Sequence, residues 1–122
     1  VLFDTSVWRR YFGGTQSVRR LGDLLDEDGA VLTHPFIIGE MVLGGLSPRE
    51  EGLIVRLPSA DAVPHEEVLG FVRRRRLMMR GIGWVDAHLL ASALTSSAML
   101  WTVDADLSAA AADLGVNFGA AH

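Results

Sequence analysis

Asp4, Glu40, Asp86 and Asp104 are acids embedded in apolar sequence. Asp4 closes VLFD, Glu40 lies inside HPFIIGEMVLGG, Asp86 opens DAHLLASAL and Asp104 ends MLWTVD. An acid so placed is drawn toward the interior, where an unpaired carboxylate is costly. Two carboxylates about 4 Å apart repel by roughly 4 kcal/mol at an effective dielectric of about 20, so several are tolerated together mainly around a cation. Hard oxygen ligands of this kind suit Mg²⁺ or Mn²⁺. Each acid also has a plainer role open to it. Glu40 shares a helical face with Phe36, Ile37, Leu43 and Gly44, from whose edge it could snorkel to water. Asp4 could be a loop acid or a helix cap, and Asp86 and Asp104, each at the start of a helical pattern, are natural N-caps.

Around these four stand weaker candidates. Asp106 follows Asp104 by two residues and suits either a solvated cap or a contact to metal or water. Ser6 and Thr102 offer hydroxyls beside two of the acids, fit to orient a carboxylate or simply to satisfy local backbone. The run Arg73 to Arg76, with Arg80, is the second feature. On a continuous helix Arg73, Arg76 and Arg80 fall within about 60° of one another, a stripe able to follow RNA phosphates or to meet Glu66, Glu67 or a partner's acids. Trp8, Trp84 and Trp101 read as core and interface residues, and the spacing of His34, His65 and His88 suggests no site.

The elements that must position these residues alternate in type. VLFD reads as a buried strand and TSVWRRYF as a turn or short helix. Ser17 to Asp28 carries Val18, Leu21, Leu24 and Leu25 at helical spacing, stopped by Gly29. AVLT is a second strand. Pro35 opens a helix that runs to Gly44 and Gly45, and Ser47, Pro48 and Glu50 open another that reaches about Val55. Leu57 to Val63 is ambiguous, with an extended reading. Pro64 starts a long helix through HEEVLGFVRRRRLMM, broken at Gly81 and Gly83. Asp86 to Ala98 is the next helix, MLWTV a strand, Leu107 to Leu114 a helix stopped by Gly115, and VNF a last short strand. Alternating strands and helices predict an α/β fold, a three-layer α/β/α sandwich around a short parallel sheet. Asp4 and Asp104 then lie at carboxyl ends of strands, the edge where open α/β sheets bind ligands.

A chain of 122 residues with 49% hydrophobic and 21% charged residues is expected to form one domain with a real core, residues 1–122. No apolar run approaches the roughly 18 residues of a membrane span. The opening strand leaves no room for a signal peptide and cysteine is absent, so the cytoplasm is the expected compartment and a thiolate zinc site is excluded. All 11 basic residues are arginine. That removes phosphate-loop NTPases and the aspartyl-phosphate enzymes that rely on a lysine. With a net charge of −4, any nucleic acid must be met by a local patch or a bound metal.

Taken in order, DTSVW, the glutamate of the third helical segment, GWVDAHLLASAL and TVDADL resemble the spaced acidic motifs of PIN domains, in particular the VapC-type ribonuclease toxins of toxin–antitoxin pairs. The resemblance spans nearly the whole chain. It implies Asp4, Glu40, Asp86 and Asp104 as metal ligands and catalytic residues, with Ser6, Thr102 and Asp106 in support. It also implies a Mg²⁺- or Mn²⁺-dependent endoribonuclease leaving 5′-phosphate and 3′-hydroxyl ends, a cognate antitoxin, and a homodimer, which the apolar content and three tryptophans also favour. Leu107 stands where family members often carry an aromatic residue. The chemistry agrees, since carboxylate-held metal ions activate water and neutralise charge on a phosphodiester. Two rivals remain at this stage: a catalytically silent PIN-like binding module, and a DNA-directed or structure-specific nuclease using the same site.

Overall fold

The computed structural model describes residues 1–14 and 20–119. Among them, β1 (Leu2–Phe3), α1 (Thr5–Phe12), α2 (Arg20–Leu25), α3 (Pro35–Leu43), α4 (Pro48–Val55), α5 (His65–Arg74), α6 (Trp84–Thr95), β2 (Leu100–Trp101) and α7 (Ala105–Asp113) follow in order. The first residues of the helix expected from Ser17 lie outside the described residues, and its described part is α2. No helix among the described residues is long and apolar enough to cross a membrane.

β1 and β2 pair in parallel, with Leu2 opposite Leu100 and Phe3 opposite Trp101. Parallel bridges extend this sheet on both sides, from Leu2 to Leu32, from Thr33 to Ser59, and from Leu100 to Asn117. Counted along the chain, the extended segments therefore lie in the order third, second, first, fourth, fifth. The direction of winding reverses between β1 and β2, and such a reversal opens a crevice at the carboxyl edge of a parallel sheet. The expected AVLT and VNF strands shrink to single bridges, and the ambiguous stretch from Leu57 to Val63 joins the sheet through Ser59. Leu2, Phe3 and Leu100 are wholly buried, which is why these strands read as continuous apolar runs and not as alternating ones.

The helices cover this sheet in two groups. α1 packs on β1 and on α3, which packs on α4, whereas α6 packs on β2 and on α5. Phe3 joins the two strands to α1 through edge contacts with Trp8 at 5.4 Å and Trp101 at 5.3 Å, and Trp8 stacks on Phe12 at 5.6 Å. Trp8 and Trp101 are thus core residues, as their apolar surroundings predict.

Of the helix boundaries that differ from the sequence reading, two bear on function. α6 begins at Trp84 with Gly83 as its N-cap, so Asp86 stands in the first turn and closes back on Gly83 N without being the N-cap itself. α5 ends at Arg74, well short of the expected Met79. Arg76 takes a left-handed backbone with φ 54°, its N–H bonds to the Arg73 carbonyl, and the N–H of Leu77 reaches the Val72 carbonyl at 3.0 Å. This closing pair is a Schellman motif with arginine where glycine is usual. Leu77, 3% exposed, is the apolar anchor that turns the chain back into the core. The helical stripe of Arg73, Arg76 and Arg80 therefore does not form. Arg73 rides on α5, Arg76 occupies the turn, and Arg80 pairs with Asp113 of α7 at 2.8 Å.

Candidate active site

The chain turns directly from β1 into α1, and Asp4 makes that turn. One of its carboxylate oxygens, Oδ1, caps α1 by accepting from Val7 N at 3.1 Å and also accepts the Ser6 hydroxyl. The other, Oδ2, accepts the hydroxyl of Thr102, just past β2. Thr102 Oγ1 in turn accepts from Asp104 N at 3.0 Å, and Ser6 Oγ accepts from Val103 N at 3.2 Å. Two hydroxyls thus lash the ends of the two central strands together across the crevice, and they fix the orientation of a carboxylate only 5% exposed.

The other acids arrive from three further elements. Asp104 caps α7, with Oδ1 accepting from Leu107 N at 2.9 Å. Asp86 turns back to accept from Gly83 N at 2.9 Å. Three carboxylates therefore sit at the N-termini of α1, α6 and α7, where the helix dipole favours negative charge. Glu40 differs. It stands in the middle of α3, half-buried, and among the described residues its carboxylate accepts no hydrogen bond.

Glu40 and Asp86 register the charge of the acids around them. Burial raises the pKa of Glu40, the negative charges of Asp86 and Asp4 raise it further, and the Arg9 guanidinium opposes the rise. Asp86 is raised first by burial and then by the charges of Asp4 and Asp104, against the Gly83 N–H that holds it down. Burial, reinforced by neighbouring negative charge, thus disfavours the ionised form of both acids. Among the described residues no three Asp, Glu or His side chains close on a single point. The carboxylates stand within reach of each other's fields without forming a closed cage, an arrangement compatible with an ion such as Mg²⁺ that keeps several waters and takes only one or two carboxylates directly.

Asp106 departs from this group. It is exposed on the first turn of α7 and packs against Gly81, where a Cβ would meet its Oδ2 at 2.5 Å. Arg9 is the residue that the spacing of motifs did not reveal. It lies on α1 five positions after Asp4, and its Nη2 would stand 3.6 Å from a Cβ on Gly44, at the end of the helix that carries Glu40. An arginine a little more than one turn after a site acid on a helix was the available signal.

Residues 1–113 match the sequence profile of the PIN domain. The chain belongs to the PIN-domain family. This PIN domain is 44% identical over 119 residues to Ribonuclease VapC32 of Mycobacterium tuberculosis, in strains CDC 1551 / Oshkosh and ATCC 25618 / H37Rv, with 95% of this chain and 94% of the relative covered. Its fold is similar to the crystal structure of PAE2754 from Pyrobaculum aerophilum, with a TM-score of 0.59 over 89% of this chain and 77% of that one at 16% identity. The α/β expectation with a short parallel sheet accordingly holds. The PIN domain brings Asp4, Glu40, Asp86 and Asp104 into one electrostatic neighbourhood at the reversal of its sheet, with Ser6 and Thr102 as hydroxyl donors to Asp4.

Proposed function

We propose that this PIN domain is a metal-dependent endoribonuclease of the VapC type, the toxin of a toxin–antitoxin pair. The observation that carries the reading is the convergence of four acids from four separate elements, with the charges of Asp4 and Asp86 bearing on Glu40 and those of Asp4 and Asp104 on Asp86, in a chain 44% identical to a ribonuclease over almost its full length. Asp4, Glu40, Asp86 and Asp104 would hold Mg²⁺ or Mn²⁺. When bound, such an ion supplies an activated water and neutralises charge on the phosphodiester oxygens. The all-oxygen donor set and the gathered carboxylates suit a hard divalent cation.

The protein's own groups do the rest. Ser6 and Thr102 lock both oxygens of Asp4, so its free lone pairs face a fixed direction. Arg9 tempers the charge of Glu40 and offers a guanidinium at the rim of an otherwise acidic site, where an RNA phosphate approaches. Arg73, Arg76 and Arg80 serve as separate phosphate contacts at and beyond the end of α5, in place of a single stripe.

Partners follow from the surface. Phe36 and Trp84 are each 40% exposed and Leu43 is 89% exposed, and Pro35, Phe36, Gly39, Leu43 and Val85 line an apolar hollow that includes Glu40. We assign this face to a second copy of the chain, and a cognate antitoxin to control of the acidic site, in the cytoplasm. RNA cleavage with added Mn²⁺ or Mg²⁺, compared with chelator, tests the function. Glu40→Gln keeps size and removes charge, so cleavage is expected to fall by about a hundredfold. Parental cleavage by a folded Glu40→Gln protein would overturn the site, and cleavage of DNA alone would favour a DNA-directed nuclease.

A further inference from the structure

His34 is 1% exposed and is bonded through both ring nitrogens. Its Nδ1 accepts from Phe36 N at 3.0 Å and so caps α3. A backbone N–H can only donate, so the proton must reside on Nε2, which then donates to Ser92 Oγ at 3.0 Å. Ser92 is wholly buried on α6. The usual N-cap residues, serine, threonine, aspartate and asparagine, supply the first of these bonds but are too short to make the second. Histidine makes both.

The two helices joined in this way carry Glu40 and Asp86. Each carboxylate lies six residues along its helix from the cross-link, about 9 Å of helical rise. α3 otherwise packs on α1 and α4, and α6 on α5 and β2. Among the described residues the His34 to Ser92 bond is the hydrogen bond that ties α3's capped end to α6. Phe36 wedges beside it, 5.3 Å from His34 and 4.7 Å from His88 of α6, ring centroid to ring centroid. The negative charge of Asp86 bears on Glu40, and like charges on two helices favour their separation. The cross-link resists that separation.

We propose that His34 is a positioning residue that sets the spacing of Glu40 against Asp86 through its bond to Ser92, and thereby the affinity of the site for a divalent cation. The cation half of this proposal rests on the metal-site reading above. Two variants break the cross-link differently. Ser92→Ala removes the acceptor and leaves the cap intact. His34→Asn keeps an acceptor for the cap and loses the reach to α6.

Two measurements decide. In calorimetric titration with Mn²⁺, each folded variant is expected to bind roughly tenfold or more weakly than the parent, as when a group that orients a metal ligand is lost. The double variant should bind no more weakly than either single one, because both remove the same bond. In chelator, a thermal double-mutant cycle of Ser92→Ala with Glu40→Gln reads the spacing without any metal. Relieving the repulsion stabilises the parent, and the gain should shrink once the helices are free to separate. A strictly additive cycle overturns the positioning role, as does parental Mn²⁺ affinity in both folded variants. If the parent binds no Mn²⁺ while the cycle is coupled, the metal-site reading falls and the positioning of Glu40 by His34 stands.

Discussion

Glu40 and Asp86 hold charge against their surroundings, and the sign of that effect can be worked out. A carboxyl group whose folded pKa is raised binds more protons in the folded state than in the unfolded one. Its contribution to stability is present at low pH and is lost as pH rises through the folded pKa. At neutral pH without metal, Glu40→Gln should therefore melt above the parent, and on saturation with Mn²⁺ the parent should gain more than the variant. Equal metal responses in paired melts would remove Glu40 from the site. His34 runs the other way. Burial first, and His88 second, lower its pKa to about 4 from the ordinary value of about 6.5. As pH falls from about 6.5 toward 4, the unfolded chain takes up a proton that the folded one refuses, so this part of stability is full above the window and drains across it. The stability gap between the parent and His34→Asn should narrow over that range in denaturant titrations. The histidines also mark what the sequence hid. His34, His65 and His88 have no telling spacing, yet tertiary packing links them through Phe36 and Trp84 into one row of ring contacts. A histidine directly before Pro35 at a helix start was the one local hint that His34 caps.

Helix beginnings were legible where their capping chemistry is local and complete in sequence, and not at α6, where a glycine, Gly83, is the cap and the helix begins ahead of Asp86. Ser47, Pro48 and Glu50 form a capping box, with both reciprocal bonds present, where the sequence places one. Helix ends were legible where glycine supplies the left-handed residue, as at Gly45 and Gly115, and illegible where Arg76 or Ser97 does. The anchoring contact of Leu77 with the core is tertiary, and no period in the sequence announces it. The strained arginine has a measurable consequence. Arg76→Gly should relieve the left-handed strain and stabilise by about 1 kcal/mol, raising the melting temperature by roughly 4 °C. A lower melting temperature would show that the Arg76 side chain stabilises this turn by more than the strain it carries. The opposite change at Gly81 should harm. With φ 79° and Asp106 in the space a Cβ needs, Gly81→Ala should cost about 2 kcal/mol by denaturant unfolding. Arg73, Arg76 and Arg80 replaced together by glutamine should flatten the salt dependence of RNA affinity, roughly 0.7 in log–log slope per phosphate contact on single strands. An unchanged slope would assign them to solvent or to a partner.

At the scale of the whole molecule, the order of the sheet was readable only as a class. Alternation of strand and helix gave a parallel sheet, but which segments neighbour which follows from the bridges that Leu32, Ser59 and Asn117 make. That order places the reversal between β1 and β2, and thus Asp4 beside Thr102 although 98 residues separate them. Phe36, Leu43 and Trp84 are exposed apolar side chains, and if the face they form receives a second copy, sedimentation at micromolar concentration should show a dimer. A strict monomer would leave this face to the antitoxin. Substituting Leu43→Asp should then weaken antitoxin binding while leaving the monomer's sedimentation unchanged.

The lashing of Asp4 to Ser6, Val7 and Thr102 has a bearing on how such a gene decays. A harmful activity invites silencing, and the route taken depends on which residue can be lost cheaply. Asp4 is a rivet between two strands and a helix, so changes there should damage the scaffold, and with it any chemistry the site performs. The Glu40 carboxylate holds nothing together by hydrogen bonds among the described residues, and removing its charge eases a repulsion. Populations relieved of the activity should accumulate inert but intact proteins altered at Glu40, and degraded ones altered at Asp4. Survivors of the first kind would still occupy the antitoxin, turning a disabled enzyme into a decoy.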